Sequence, residues 1–241
     1  IISSNLNEMS IMKRFIMTYY QKVLYFSDII ITQSHAMDLD LQNYVKRNSR
    51  IIYNPISSEK ILELSKEASP FELEDKYFNI ISVGRLSSEK DYKTSILSIA
   101  RLKKKIKNIR FYILGEGKLK KELIDFTKSL GLEKDIFFLG YLKNPYPIIK
   151  KANVLLLTSL YEGFSNVILE ALVLKVPVVA TNSPGGNKEI IFNGKNGFLA
   201  NVGDVDDIVD KLILVEKQKN FEINLKKFEI NTIAMEYEKY F

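Results

Sequence analysis

The sequence predicts an α/β fold in which a parallel sheet carries helices on both faces. Three observations predict it. Short apolar runs recur at 79–83, 110–114, 136–139, 153–157, 177–180 and 197–199, each the length of a strand. The stretches between them have the periodicity of helices of ~8–17 residues. The run Pro177-Val178-Val179-Ala180 is apolar without alternation, as a strand covered on both faces must be. Crossovers between such strands are right-handed, and ligands bind outside the carboxyl ends of the strands.

Taken in order, residues 10–27 read as an amphipathic helix and 28–32 as a β-branched strand. Ser34 is placed to cap a helix running to about Arg47. A second short strand, 50–53, is closed by Asn54-Pro55. Residues 57–75 are polar and helical and read as a linker, and from Tyr77 the strand–helix alternation is regular. The closing segment, 221–241, reads as one or two amphipathic helices. The domain reading is therefore 1–56, a linker at 57–76, a main domain at 77–220, and terminal helices at 221–241. No internal repeat or low-complexity tract interrupts it.

The chain has 241 residues, 46% of them hydrophobic, enough for a large core. Cysteine is absent, which removes disulfides, thiolate metal sites and thiol nucleophiles and fits a reducing compartment. No apolar run reaches the ~18 residues of a membrane span. The first residues lack the charged-then-apolar order of a signal peptide, and the sequence begins in mid-pattern at Ile1. Net charge is +6, with basic residues at Arg101, Lys103, Lys104, Lys105 and Lys107 and again at Lys118, Lys120 and Lys121. A nucleic-acid surface, attraction to anionic lipid and the solvated face of two helices are all open readings. Aromatic residues are not interleaved with these lysines, so no single-strand stacking platform is expected, the solvated helix face is the preferred reading, and no nucleic-acid partner is expected. The one histidine, His35, follows the Ser34 cap and reads as structural or exposed, since one histidine without cysteine builds no ordinary zinc site.

The most informative stretch is Glu162-Gly163-Phe164-Ser165-Asn166-Val167-Ile168-Leu169-Glu170. An apolar strand, a small-residue turn and a helix start follow one another here. Such a turn aims backbone N–H groups and the positive helix end at one spot, which suits a phosphate. Glu162 lies in the loop. Glu170 lies among apolar neighbours, where a carboxylate needs a hydrogen-bond partner: a ligand hydroxyl or a backbone amide. Gly84-Arg85 and Lys90 follow the strand at 79–83, so two cations stand at its carboxyl end, suited to a diphosphate; the plain alternative is that Lys90 begins the exposed face of the next helix. Gly115-Glu116-Gly117 lacks the third glycine of a dinucleotide fingerprint and reads as a tight turn. Asn182 to Asn187, with Gly185-Gly186, reads equally as an anion-binding turn or an ordinary one. Two Asp-x-Asp patterns are rejected as metal sites: Asp204 with Asp206 starts a helix, where Asp is a favoured cap, and Asp38 with Asp40 points to different faces of one.

These motifs come in a familiar order: Gly84-Arg85 with Lys90, Gly115-Glu116-Gly117, Phe138-Leu139-Gly140, the two glutamates separated by seven residues, Pro177 to Thr181, Gly185-Gly186 with Glu189, and Asn193-Gly194 with Gly197-Phe198-Leu199. Over roughly 77–215 the sequence resembles the donor-binding half of the retaining family 4 (group 1) glycosyltransferases. The resemblance implies a GT-B architecture of two facing Rossmann-like domains, here the C-terminal one plus a remnant of the N-terminal, acceptor-binding one in 1–56, with 221–241 crossing back to it. It implies that Arg85 and Lys90 neutralise a donor diphosphate together with the helix start at Gly163, Phe164, Ser165 and Asn166. Glu170 would hold ribose hydroxyls, Glu162 would lie against the transferred sugar, and Tyr141 and Leu142 would meet the base through their backbone beside Gly84. The implied activity is a hexosyltransferase moving a sugar from a nucleotide-sugar, a UDP-sugar in the first instance, to a glycan or lipid-linked acceptor in surface polysaccharide synthesis. No metal and no cofactor are implied; the nucleotide-sugar is a substrate. The expected location is cytoplasmic, with peripheral contact to an anionic inner membrane face left open. Asp91 departs from the family's usual glycine. Most of the N-terminal domain is not in the sequence, so the chain is expected to be a donor-binding fragment, inactive by itself. Two alternatives stand beside this reading: a non-catalytic nucleotide-binding or scaffolding module, and a nucleotide-sugar epimerase of the same fold.

Overall fold

The computed structural model describes residues 11–218 and 220–240, with side chains described from Thr18 onward. Residues 1–10 of the expected 1–56 segment, and Phe241 at the end of the expected terminal helices, lie outside the described residues. Six parallel strands form the main sheet: β3 (Phe78–Val83), β4 (Ile109–Leu114), β5 (Ile136–Gly140), β6 (Val154–Leu157), β7 (Val178–Thr181) and β8 (Gly197–Ala200). Each falls within one residue of its expected limits. The order is β5-β4-β3-β6-β7-β8. The chain winds outward from β3 to β5, returns to β6 beside β3, and winds the other way. The strand order therefore reverses between β3 and β6, the place where such sheets open a crevice.

Alternation along each strand divides the core into two layers. Ile80, Phe111, Ile113, Leu156 and Val179 face one side and are covered by α4 (Tyr92–Leu102), α5 (Lys120–Ser129) and α9 (Val205–Lys217). Ile81, Leu114, Leu155, Leu157 and Ala180 face the other, under α6 (Tyr146–Ile149), α7 (Asn166–Val173) and α8 (Asn187–Ile190). The segment expected as a linker adds to this second layer. Its helix, α3 (Ser58–Leu64), packs on α6 and α7, and Ile61 and Leu73 are buried in the core.

Before it, α1 (Ile11–Phe26) precedes a two-strand parallel pair, β1 (Ile31–Thr32) and β2 (Arg50–Ile51), joined through α2 (His35–Val45). These strands are shorter than the apolar runs 28–32 and 50–53, because only two residue pairs find ladder partners. Ser34 caps α2 as expected, accepting from the Met37 amide at 3.1 Å. His35 is exposed. The terminal segment forms a 3-10 turn (Lys226–Phe228) and α10 (Ile230–Glu238). It is stitched to the earlier chain where the Ile56 amide donates to Phe228 O at 2.8 Å and the Ile230 amide to Ile56 O at 3.0 Å.

Candidate functional site

The loops after β3 and β6 flank the reversal point, and they carry the residues singled out in the sequence. After β3, the chain runs through Gly84 and Arg85 into a 3-10 turn, Ser88–Lys90. Lys90 does not begin an exposed helix face: its side chain is 18% exposed and forms an ion pair with Glu162, which is 12% exposed. Ser159 donates to the same Glu162 oxygen at 2.7 Å. Arg85 by contrast is 82% exposed and meets only Glu89, at 3.3 Å, among the described residues, so its guanidinium is available to a ligand.

Asp91, the residue that departs from the family pattern, has φ 46° and ψ 51°. Glycine fits that left-handed conformation without strain, and Asp is among the few other residues that adopt it. Here Asp91 also caps α4: its carboxylate accepts from the Thr94 hydroxyl at 2.6 Å and from the Thr94 amide at 3.4 Å. Thr158, at the end of β6, donates to the Asp91 carbonyl at 2.8 Å, which ties the Lys90 turn to the Glu162 loop.

Two glycine motifs do something the sequence reading missed. Gly115 has φ +140°, and a Cβ there would lie 1.9 Å from the Gly84 carbonyl oxygen. Gly185 has φ +134°, and a Cβ there would lie 1.5 Å from the Glu162 carbonyl oxygen. Gly115-Glu116-Gly117 is thus more than a tight turn, and Gly185-Gly186 more than an ordinary one. Each lets one loop press backbone to backbone against a loop that bears a charged site residue. The Glu162 amide donates to Pro184 O at 3.1 Å and the Gly186 amide to Gly163 O at 2.9 Å, completing the second contact. The signal that could have found this is the pairing of each glycine motif with a strand end neighbouring that of a charged loop.

At the start of α7, Ser165 is extended and makes no side-chain cap bond, so the first amides of the helix are not satisfied by its hydroxyl. The Asn166 side chain accepts from Asn54 at 2.9 Å. Phe164 offers only its backbone to this spot. Its ring is 8% exposed and packs between Tyr53 and Phe228, at centroid distances of 5.6 and 5.8 Å. One turn further on, Glu170 projects from α7 on the cavity side. Within the protein its partner is not a backbone amide but the Tyr146 hydroxyl, 3.4 Å away. Burial raises the Glu170 carboxyl above the ordinary carboxylate range, and the Tyr146 hydrogen bond works against that rise.

Two clefts meet at these loops. One, of about 540 Å³, is lined by Gly84, Arg85, Leu142, Tyr146 and Glu170, with Tyr141 exposed at its rim. The other, of about 480 Å³, lies between this sheet and the β1–α2 segment and is lined by Arg85, Lys90, Glu162 and Gly163 with the apolar Ile31 and Leu41. Arg85 stands on the wall of both. A larger crevice, of about 890 Å³, opens at the other end of the sheet beside Tyr77, Asn153 and Pro177, away from the carboxyl ends and the charged loops. Three of the Asp-x-Asp residues are engaged elsewhere: Asp204 caps α9, Asp206 pairs with Arg101, and Asp38 accepts from the Ser49 amide at 2.8 Å; Asp40 lines the second cleft. Among the described residues no three His, Cys, Asp or Glu side chains converge as a metal site.

A parallel sheet wound in two directions, with charged loops and two clefts at the reversal, defines a doubly wound, Rossmann-like α/β domain. The chain belongs to the glycosyl transferases group 1 family, whose sequence model matches residues 65–232. It is 34% identical over 226 residues to N-acetylgalactosamine-N,N'-diacetylbacillosaminyl-diphospho-undecaprenol 4-alpha-N-acetylgalactosaminyltransferase of Campylobacter jejuni, covering 89% of this chain and 60% of that protein. It is 28% identical to the uncharacterized glycosyltransferase MJ1059 of Methanocaldococcus jannaschii, covering 93% of this chain and 61% of that protein. The chain therefore spans about three fifths of the length of these relatives. Among solved structures, Anabaena Alr3699/HepE in complex with UDP superimposes with a TM-score of 0.76 at 21% identity, covering 89% of this chain and 63% of that one. The fold is that of the GT-B glycosyltransferases.

Proposed function

We propose that this chain carries the donor site of a retaining family 4 glycosyltransferase that takes a UDP-sugar and serves polysaccharide or lipid-linked glycan synthesis at the cytoplasmic side of a membrane. The observation that carries the reading is Arg85 on the shared wall of two clefts, with the Lys90–Glu162 pair in the second. The first cleft, with Tyr141 and Leu142 at one end and Glu170 at the other, suits a nucleoside. The second suits the sugar. A diphosphate bridging them would pass Arg85, Lys90 and the amides of Gly163, Phe164, Ser165 and Asn166.

As the glycosidic bond breaks, negative charge grows on the leaving diphosphate. Fixed cations and a helix N-terminus are stabilising there because they need no rearrangement at that moment. An ammonium has three donors, so Lys90 can keep Glu162 while it holds a phosphate oxygen. Glu162 then faces the transferred sugar, and Glu170 the ribose. The departing phosphate takes the acceptor's proton on the same face, so no acid–base pair at glycosidase spacing is needed. UDP bound to the HepE structure and the polyprenyl-diphosphate acceptor in the Campylobacter relative's name favour these substrate classes.

The reading makes donor binding independent of divalent metal, since charge neutralisation falls to Arg85 and Lys90. Calorimetric titration with UDP, in EDTA and in magnesium, tests it. Equal affinities are expected. Binding that collapses in EDTA would mean that carboxylates such as Asp204 and Asp206 hold a metal with the nucleotide.

A further inference from the structure

The cleft that holds Glu170 contains a second polar side chain, Tyr146, that no motif announces. Tyr146 opens α6, on the loop that follows β5. Its position is fixed from behind. The Tyr146 amide donates to the Asn144 side-chain oxygen at 3.2 Å. The Asn144 side-chain amide in turn donates to Leu64 O at 2.9 Å and to Glu67 at 2.8 Å. The loop bearing Tyr141 and Leu142 is thereby anchored to the carboxyl end of α3, and the Tyr146 ring is held against α7.

From there its hydroxyl reaches Glu170 Oε1 at 3.4 Å. That is longer than a well-formed O–H···O bond of about 2.5–3.0 Å. Among the described residues no other side chain or amide donates to the Glu170 carboxylate. A half-buried carboxylate on a rigid, otherwise apolar helix is therefore left with one slack partner and an open side facing the cleft. Such a group is completed by hydroxyl donors from a ligand.

We infer that Tyr146 is a positioning residue of the ribose subsite: its hydroxyl, held by the Asn144 anchor, keeps the Glu170 carboxylate turned into the cleft and so sets the preference for ribose over deoxyribose. The inference rests on the reading of Glu170 as the ribose-binding group. Without the hydroxyl, Glu170 loses its one protein partner, and a ligand hydroxyl meets a less ordered acceptor. A phenyl ring in its place keeps the packing of the side chain against the core layer.

The test is competitive titration of UDP, 2′-deoxy-UDP and 3′-deoxy-UDP against the wild-type chain, Tyr146→Phe and Glu170→Gln. Each protein is scored by its ratio of UDP to deoxy-UDP affinity, which is insensitive to the folded fraction of a preparation. The wild type is expected to prefer UDP over at least one analogue by about tenfold, the effect of one hydrogen bond to a charged group. Glu170→Gln is expected to lose most of that preference, and Tyr146→Phe to lower it severalfold, with UMP-level contacts outside the ribose unaffected. A wild-type preference abolished by Glu170→Gln but unchanged in Tyr146→Phe overturns the role of Tyr146 and leaves that of Glu170 standing. A wild type that binds the three nucleotides equally, or binds none, overturns the ribose reading and this inference with it.

Discussion

Glu162 and Glu170 lie on one loop-and-helix segment, yet their surroundings differ. Glu162 is matched by an ammonium and a hydroxyl, whereas Glu170 has only a slack phenol. Their glutamine variants should therefore fail differently. Glu170→Gln replaces an acceptor-only group by a mixed one and should weaken UDP binding. Its stability should move the other way. The folded-state carboxyl is raised above 4.5, so Glu170 costs no stability while protonated in both states. Its cost appears as pH climbs from the unfolded value and is complete above the folded one. Glu170→Gln should accordingly match or exceed the wild type in thermal stability at pH 7, with the difference vanishing at acidic pH. A variant that loses stability at pH 7 would mark Glu170 as a structural residue. Glu162→Gln should leave UDP affinity nearly intact and lower transfer or sugar discrimination, because in the proposed site its contact is with the sugar that UDP lacks. Loss of UDP binding in Glu162→Gln alone would reverse the two roles.

At the scale of elements, the site depends on turns that accept positive φ. Asp91 combines that conformation with capping α4. Asp91→Gly keeps the backbone and should cost a few tenths of a kcal/mol, the usual cap difference. Asp91→Ala loses the cap and adds left-handed strain, about 1–2 kcal/mol more. Urea unfolding should give that order, and an alanine variant as stable as the glycine variant would contradict it. The strands, helices and charged loops were legible in the sequence because period, strand ends and caps are local signals. The glycine contacts were not, because Gly115 meets Gly84 and Gly185 meets Glu162 only after β3, β4, β6 and β7 are ordered in the sheet. Tyr146 was hidden for the same reason: its partner is on another helix and no spacing links them. Phe164 was legible as a helix-start residue, but its burial between Tyr53 and Phe228 depends on chain segments far apart in sequence.

At the scale of the molecule, part of the basic run is balanced by acidic residues on neighbouring elements among the described residues. Arg101 and Lys105 of the basic run pair with Asp206 and Asp210 on α9, and Lys103 pairs with Asp135, so much of the run is the solvated, partnered face of a helix layer. Among the described residues no helix is long and apolar enough to cross a membrane. The segments before and after the main domain meet at one joint: Tyr53, Phe164 and Phe228 pack together, and Lys227 lies 4.6 Å from the Phe228 ring centre and 4.9 Å from that of Tyr53. Phe228 is 1% exposed, so Phe228→Ala should destabilise the fold by about 3–5 kcal/mol. It should also weaken UDP binding, because Phe164 beside the α7 N-terminus loses its support. The central claim is that a diphosphate lies at the reversal point of the sheet, and comparing UDP with uridine on the wild type, Arg85→Ala and Lys90→Ala tests it most directly. The account predicts that UDP binds more tightly than uridine, and that each substitution removes on the order of 1–3 kcal/mol from UDP binding while uridine binding stays nearly constant. Equal losses for uridine and UDP would contradict it.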